Sequence, residues 1–146
     1  MNLKIYMDVC CLSRPFDDLS QDRVRLEAEA VTDILDRCRS GQWSLAASEI
    51  IDYEISAIKD EDKSLRVKQL YSVAENLLLM TDQVKTRAAS LQGQGLTLLD
   101  SLHLASAEIF HQDIFLTTDD KLLKRSMILA LGIRVANPVT WFMEVW

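Results

Sequence analysis

The chain has 146 residues, 49% hydrophobic and 26% charged, with 4 Gly, 2 Pro and a formal net charge of −6. At roughly 150 residues per domain this is one unit, 1–146, able to bury about two-thirds of its unfolded surface. The balance excludes a disordered, collagen-like or low-complexity chain. The apolar runs are too short to span a membrane, and the start Met1-Asn2-Leu3-Lys4-Ile5 lacks the regions of a signal peptide, so a cytoplasmic protein without membrane contact is expected. Three cysteines, Cys10, Cys11 and Cys38, include one adjacent pair and make neither a disulfide framework nor a zinc site, so they read as reduced and structural. The net negative charge repels nucleic acid unless basic residues are grouped locally or a bound cation reverses the field.

In chain order, short apolar runs alternate with longer helical periods. Residues 3–7 read as a strand ending on Asp8, with Asp17 and Asp18 in the loop that follows. Residues 23–39 read as a helix, with Leu26, Ala30, Ile34 and Leu35 at helical spacing and Gly41 as its stop. Residues 43–47 are a second strand, and 48–59 a helix with Ser48 as N-cap. Residues 62–75 continue helical, 77–80 are a short strand, and Thr81 or Asp82 opens a helix to about residue 92 that Gly93 and Gly95 break. Residues 98–110 are helical, 114–117 a strand, 119–131 a helix ended by Gly132, and 133–136 the last strand before Asn137-Pro138. Strands separated by helices imply right-handed crossovers. The expected class is α/β, a three-layer α/β/α sandwich on a parallel sheet of about five short strands. Ligands of such sheets sit beyond the carboxyl ends of the strands, where strand order reverses.

Carboxylates fall there. Asp8 ends the first strand, and Asp119 and Asp120 follow the strand at 114–117. A lone Asp after a strand is most often a helix cap. Glu54 resists that explanation: on a helical wheel it lies in one arc with Ile50, Ile51, Ile55, Ala57 and Ile58, while Glu49 and Asp52 fall on the polar side. A carboxylate in an apolar stripe needs a cation, either a metal or an arginine in a buried ion pair. Asp100 sits in a helix apolar nearly all round, where Thr97-x-x-Asp100 also fits a capping box. His103 reads as a hydrogen-bonded core histidine. Four carboxylates within about 5 Å would repel by roughly 3 kcal/mol per pair at an effective dielectric near 20. Such a cluster calls for a hard cation with oxygen ligands, Mg²⁺ or Mn²⁺, which would activate water against a phosphoryl centre and reverse the local field.

Four stretches in order carry a family resemblance: Ile5-Tyr6-Met7-Asp8 running on to Asp17-Asp18, Ala47-Ser48-Glu49 on to Glu54-Ile55, Leu99-Asp100-Ser101-Leu102-His103 on to Glu108, and Phe115-Leu116-Thr117-Thr118-Asp119-Asp120-Lys121. The sequence resembles a PIN domain, of the kind found in VapC-type toxins and their stand-alone relatives. The resemblance implies a PIN-like parallel α/β/α sandwich and a metal-dependent endoribonuclease, the toxin of a type II toxin–antitoxin pair. Its acids fall on Asp8, Glu54, Asp100 and Asp119, as catalytic residues and Mg²⁺ or Mn²⁺ ligands. Thr117 and Asp120 are supporting residues; Glu49 competes with Glu54, and Asp120 with Asp119. Arg14 and Lys121 are the expected RNA contacts, with Lys124, Arg125 and the stretch Lys59, Lys63, Arg66, Lys68 as further basic groups. The expected partners are RNA, a cognate antitoxin and a second copy of the chain. The aromatic tail from Val139 to Trp146 reads as core packing or as part of an interface. Against this stands a non-catalytic PIN-like module that binds protein or RNA. A phosphoacceptor receiver would want a second acid directly after Asp8, and a haloacid-dehalogenase-type phosphatase an acid where Cys10 stands.

Overall fold

The computed structural model describes residues 2–146. Five short strands, β1 (Lys4–Met7), β2 (Ser44–Ser48), β3 (Glu75–Leu78), β4 (Ile114–Leu116) and β5 (Val135–Ala136), form one sheet in the order β3-β2-β1-β4-β5. Every pairing is parallel. Among the described residues eight helices flank it: α1 (Val9–Ser13), α2 (Asp22–Arg39), α3 (Glu49–Ser56), α4 (Glu61–Tyr71), α5 (Asp82–Gly93), α6 (Leu98–Ile109), α7 (Asp120–Ile128) and α8 (Pro138–Val145). This is the expected α/β sandwich on a five-stranded parallel sheet. No helix among the described residues is long and apolar enough to cross a membrane.

The centre follows from composition. Ile5, Tyr6 and Met7 of β1 are each 0% exposed, and β4 is buried throughout, as strands covered on both faces must be. The chain runs outward from β1 through β2 to β3, then returns to lay β4 and β5 on the other side. Strand order therefore reverses between β1 and β4. At that seam Tyr6 stacks on Phe115, its register partner, with ring centroids 5.2 Å apart.

Several boundaries differ from the sequence reading. The strand expected at 77–80 is β3, two residues earlier, and the helix expected to reach residue 75 stops at Tyr71. Asn76 explains the shift: it takes a left-handed φ of 56° at a bulge where Ala46 pairs with Glu75 but Ala47 pairs with Leu77. Three of the four β3 residues are exposed, as an edge strand permits. The helix after Ser48 ends at Ser56 and not at residue 59, and α7 ends at Ile128, where Leu129 turns extended well before Gly132.

Two helices were not anticipated. Helix α1 occupies what was read as loop, capped by Asp8 and followed by a 3-10 turn over Arg14–Phe16. Helix α8 is the aromatic tail, opened by the Asn137 cap on Val139 N at 2.9 Å with Pro138 in the first turn. The tail packs on the core: Trp141 meets Trp43 at 5.2 Å, and the Arg37 guanidinium covers Trp43 and Phe142 at 5.0 and 4.9 Å. On α2, Leu26 was expected among the core positions but is 50% exposed, while Glu27 is 1% exposed.

Candidate functional site

The register of β1 and β4 builds the first half of the site. Met7 pairs with Leu116, and the ladder continues one step further as Asp8 N–H donates to Leu116 O at 2.9 Å. Asp8 and Thr117 thus emerge side by side at the carboxyl ends of the two central strands. Asp8 Oδ1 accepts from Val9 N at 2.8 Å, capping α1, and Oδ2 accepts from the Thr117 hydroxyl at 2.9 Å. Thr117 Oγ1 in turn accepts from Asp119 N at 3.1 Å, so one buried hydroxyl ties both strand-end acids together. Asp119 is exposed and caps α7, its Oδ1 accepting from Lys121 N at 2.9 Å and Leu122 N at 3.4 Å.

Glu54 comes from α3, whose Ile50, Ile51 and Ile55 are buried. Its side chain is 24% exposed and Oε1 is hydrogen-bonded to Nε2 of His103, which is 0% exposed. His103 Nδ1 lies 2.5 Å from the Tyr6 hydroxyl, and that hydroxyl lies 2.9 Å from Ser48 Oγ. Asp8, Glu54 and His103 each offer an atom to a group in which all lie within 4.8 Å of one another. Asp100 stands in the first turn of α6, half-buried, its N–H donating to the Thr97 hydroxyl at 3.2 Å. The cap expected from Thr97-x-x-Asp100 is thus present.

The electrostatics mark concentrated negative charge. Burial pushes the Asp8 carboxyl above its ordinary value, and the charge of Glu54 adds to this against the His103 ring and the Thr117 hydrogen bond. Burial also raises Asp100, and the charges of Asp8 and Asp119 raise it further while the Thr97 hydrogen bond opposes them. Acids raised by burial and by one another's charge mark a candidate functional site. The group within mutual reach is Asp8, Glu54 and His103, while Asp100 and Asp119 lie outside it, with Asp100 feeling the charges of Asp8 and Asp119. The two carboxylates of that group supply oxygen donors of the kind a hard divalent ion takes.

Other residues singled out in the sequence lie elsewhere. Asp120 receives both terminal nitrogens of Arg23 at 2.7 and 2.8 Å. Glu49 accepts from Met80 N and fastens α3 to the segment after β3. Arg14 is held by Glu27 at 2.8 Å and Asp17 at 3.0 Å, Lys63 by Asp17 at 2.8 Å, and Arg66 by Asp62 at 3.0 Å. Lys121 is exposed and makes no ion pair among the described residues. Glu54 has a histidine as its partner where an arginine was the alternative to metal. The buried acid paired with arginine is Glu27, which also accepts from Arg23 and from Asn137 at 2.6 Å. Sequence reading missed Glu27 and Tyr6. A wheel over α2 sets Glu27 between Val24 and Val31, and a tyrosine inside a buried strand needs a hydroxyl partner.

No protein-family model matches the sequence, and no curated protein matches it. Solved structures do. The chain is similar to one in a VapBC2 complex of Rickettsia felis bound to a DNA fragment from its promoter, at 14% identity over 92% of this chain and 98% of that one, with a TM-score of 0.60. A toxin–antitoxin complex from Klebsiella pneumoniae matches at 20% identity, 92% and 97% coverage and a TM-score of 0.61. FitAcB from Neisseria gonorrhoeae matches at 18%, with 92% and 97% coverage and a TM-score of 0.60. At these identities the likeness is one of fold: the chain shares the architecture of those chains, the PIN-like α/β/α sandwich its ordered motifs led us to expect.

Proposed function

We propose that this protein is an Mg²⁺- or Mn²⁺-dependent endoribonuclease, the toxin of a toxin–antitoxin pair acting in the cytoplasm. The observation that carries the reading is the gathering of Asp8, Glu54 and His103, with Asp100 near enough to feel the charges of Asp8 and Asp119, by the β1–β4 seam, the point where an open parallel sheet binds its ligands. Asp8, Asp100 and Asp119 would hold the cation with Glu54. When bound, a hard cation would supply Lewis acidity toward a phosphoryl oxygen and toward water at that edge. Thr117 holds Asp8 and Asp119 in register, and Glu54 positions the water that attacks phosphorus as a P–O bond of the RNA breaks. Lys121, exposed beside Asp119, is the phosphate contact best supported. Arg14 stays committed to Glu27 and Asp17, and substrate would have to compete for it.

The partners we propose are a cognate antitoxin and a second copy of the chain. The fold is shared with chains crystallised as toxin–antitoxin complexes. An apolar cleft of 490 Å³ lined by Ile50, Tyr53, Met80, Leu98, Leu99 and Leu102 offers a protein surface on the helices that carry Glu54 and Asp100. Incubation of the purified protein with mixed cellular RNA and Mn²⁺ tests the activity. Cleavage that chelation and Asp8→Asn both abolish is expected. Intact RNA with a metal-loaded protein would favour the non-catalytic module.

A further inference from the structure

A continuous line of hydrogen bonds reaches the Glu54 carboxylate from inside the protein. Ile51 N–H donates to Ser48 Oγ at 3.0 Å, Ser48 Oγ lies 2.9 Å from the Tyr6 hydroxyl, and that hydroxyl lies 2.5 Å from His103 Nδ1. His103 Nε2 completes the line at Glu54 Oε1. Ser48, Tyr6 and His103 are each 0% exposed, so solvent cannot replace a missing bond and each hydrogen needs an acceptor within the line.

One direction satisfies them all. The Ser48 oxygen already accepts from Ile51, and its own hydroxyl hydrogen has Tyr6 as its acceptor among the described residues. Ser48 therefore donates to Tyr6. Tyr6, having accepted, donates to His103 Nδ1, which must be bare. The ring hydrogen is then on Nε2 and goes to Glu54. The reverse direction, with Nδ1–H donating to Tyr6 and Tyr6 to Ser48, leaves the Ser48 hydrogen buried without an acceptor. A doubly protonated ring meets the same obstacle.

We propose that His103 is a positioning residue for Glu54, locked by Ser48 and Tyr6 in the Nε2–H tautomer, donating to the carboxylate and never ligating the cation. Both ring nitrogens are committed, so proximity to Asp8 and Glu54 does not make His103 a ligand. The inference rests on the reading of Glu54 as a site residue. Its chemistry is that of the support that commonly orients metal-ligating side chains.

NMR of protein with labelled histidine nitrogens tests this without substrate. The chain has 2 histidines, and His111 is exposed where His103 is buried, so the two rings are separable. Near neutral pH, His103 is expected to show a protonated Nε2 and a bare Nδ1, and Tyr6→Phe to mix the tautomers. Adding Mg²⁺ should leave the Nε2–H signal in place. A hydrogen on Nδ1, on both nitrogens, or an Nε2–H signal lost on Mg²⁺ addition would overturn the proposal. Mg²⁺ that shifts no resonance would count against the metal reading, while an intact Nε2–H signal would still support the line. In Mn²⁺ binding, His103→Ala should weaken affinity by about 10- to 100-fold, and His103→Gln, which keeps an N–H donor, should recover most of it. Equal losses in both variants would contradict a positioning role.

Discussion

Glu54 occupies a position where charge is costly and where its removal is correspondingly cheap. In metal-free protein the neighbouring Asp8 charge opposes it, and its one strong bond comes from His103. Glu54→Gln keeps an oxygen that can accept from His103 Nε2, so the metal-free variant should match or exceed wild-type stability, within about 1 kcal/mol, in chemical denaturation. A loss of several kcal/mol would mean that the carboxylate is a structural anchor. Asp8 and Asp100 give a pH signature. Both hold their protons more tightly in the folded state than in the unfolded chain. Acidification toward the ordinary aspartate value of about 4 therefore favours folding, and stability falls as pH rises through the window above it. Metal-free wild type should lose stability relative to Asp8→Asn over that rise, and parallel curves would contradict it. At this scale the sequence was informative where a residue's immediate surroundings decide its role. The apolar stripe of α3 marked Glu54, and the end of a buried strand marked Asp8. The sequence set Asp119 ahead of Asp120 but could not show that Asp120 is engaged by Arg23, 97 positions away. His103 could be read only as hydrogen-bonded, because its partners Tyr6 and Glu54 come from other elements.

The elements that hold the site in place meet at Glu27. One buried carboxylate on α2 accepts from Arg14 before the 3-10 turn ends, from Arg23 one helical turn earlier, and from Asn137 at the start of α8. Arg23 also bonds Thr118 O at 3.2 Å and Asp120, and so grips the segment that carries Asp119. Glu27→Ala would strip the acceptor from donors of which Arg14 is only 22% exposed. A loss of roughly 3 kcal/mol is expected in denaturant melts, the low end of the range for breaking a buried pair because Arg23 is partly solvated. A change below half a kcal/mol would show that solvent replaces the network. Strands β1 and β4 were readable as continuous apolar runs, and α2 by its periodic stripe. Two elements without either signal were not. Helix α1 has five residues, too few for periodicity, and β3 was displaced by the bulge at Asn76. Helix α8 was signalled by Asn137-Pro138, a cap followed by a first-turn proline, but its aromatic content masked the helical spacing.

Across the whole molecule, charge decides what the site can bind. The net charge is −6 and most arginines are held in ion pairs with nearby acids, so the positive charge left free is carried chiefly by exposed lysines such as Lys121 and Lys124, against an overall field that repels polyanions. A cation at the β1–β4 seam reverses the sign there, so RNA affinity and metal occupancy should rise together. The proposed chemistry depends on that cation. Thermal melting of wild type and Asp8→Asn with and without Mn²⁺ measures it directly. At about 100 times its dissociation constant, Mn²⁺ should stabilise wild type by roughly 2.7 kcal/mol. Asp8→Asn should show no comparable shift. An equal shift in both proteins, or none in wild type, would contradict a metal site built on Asp8.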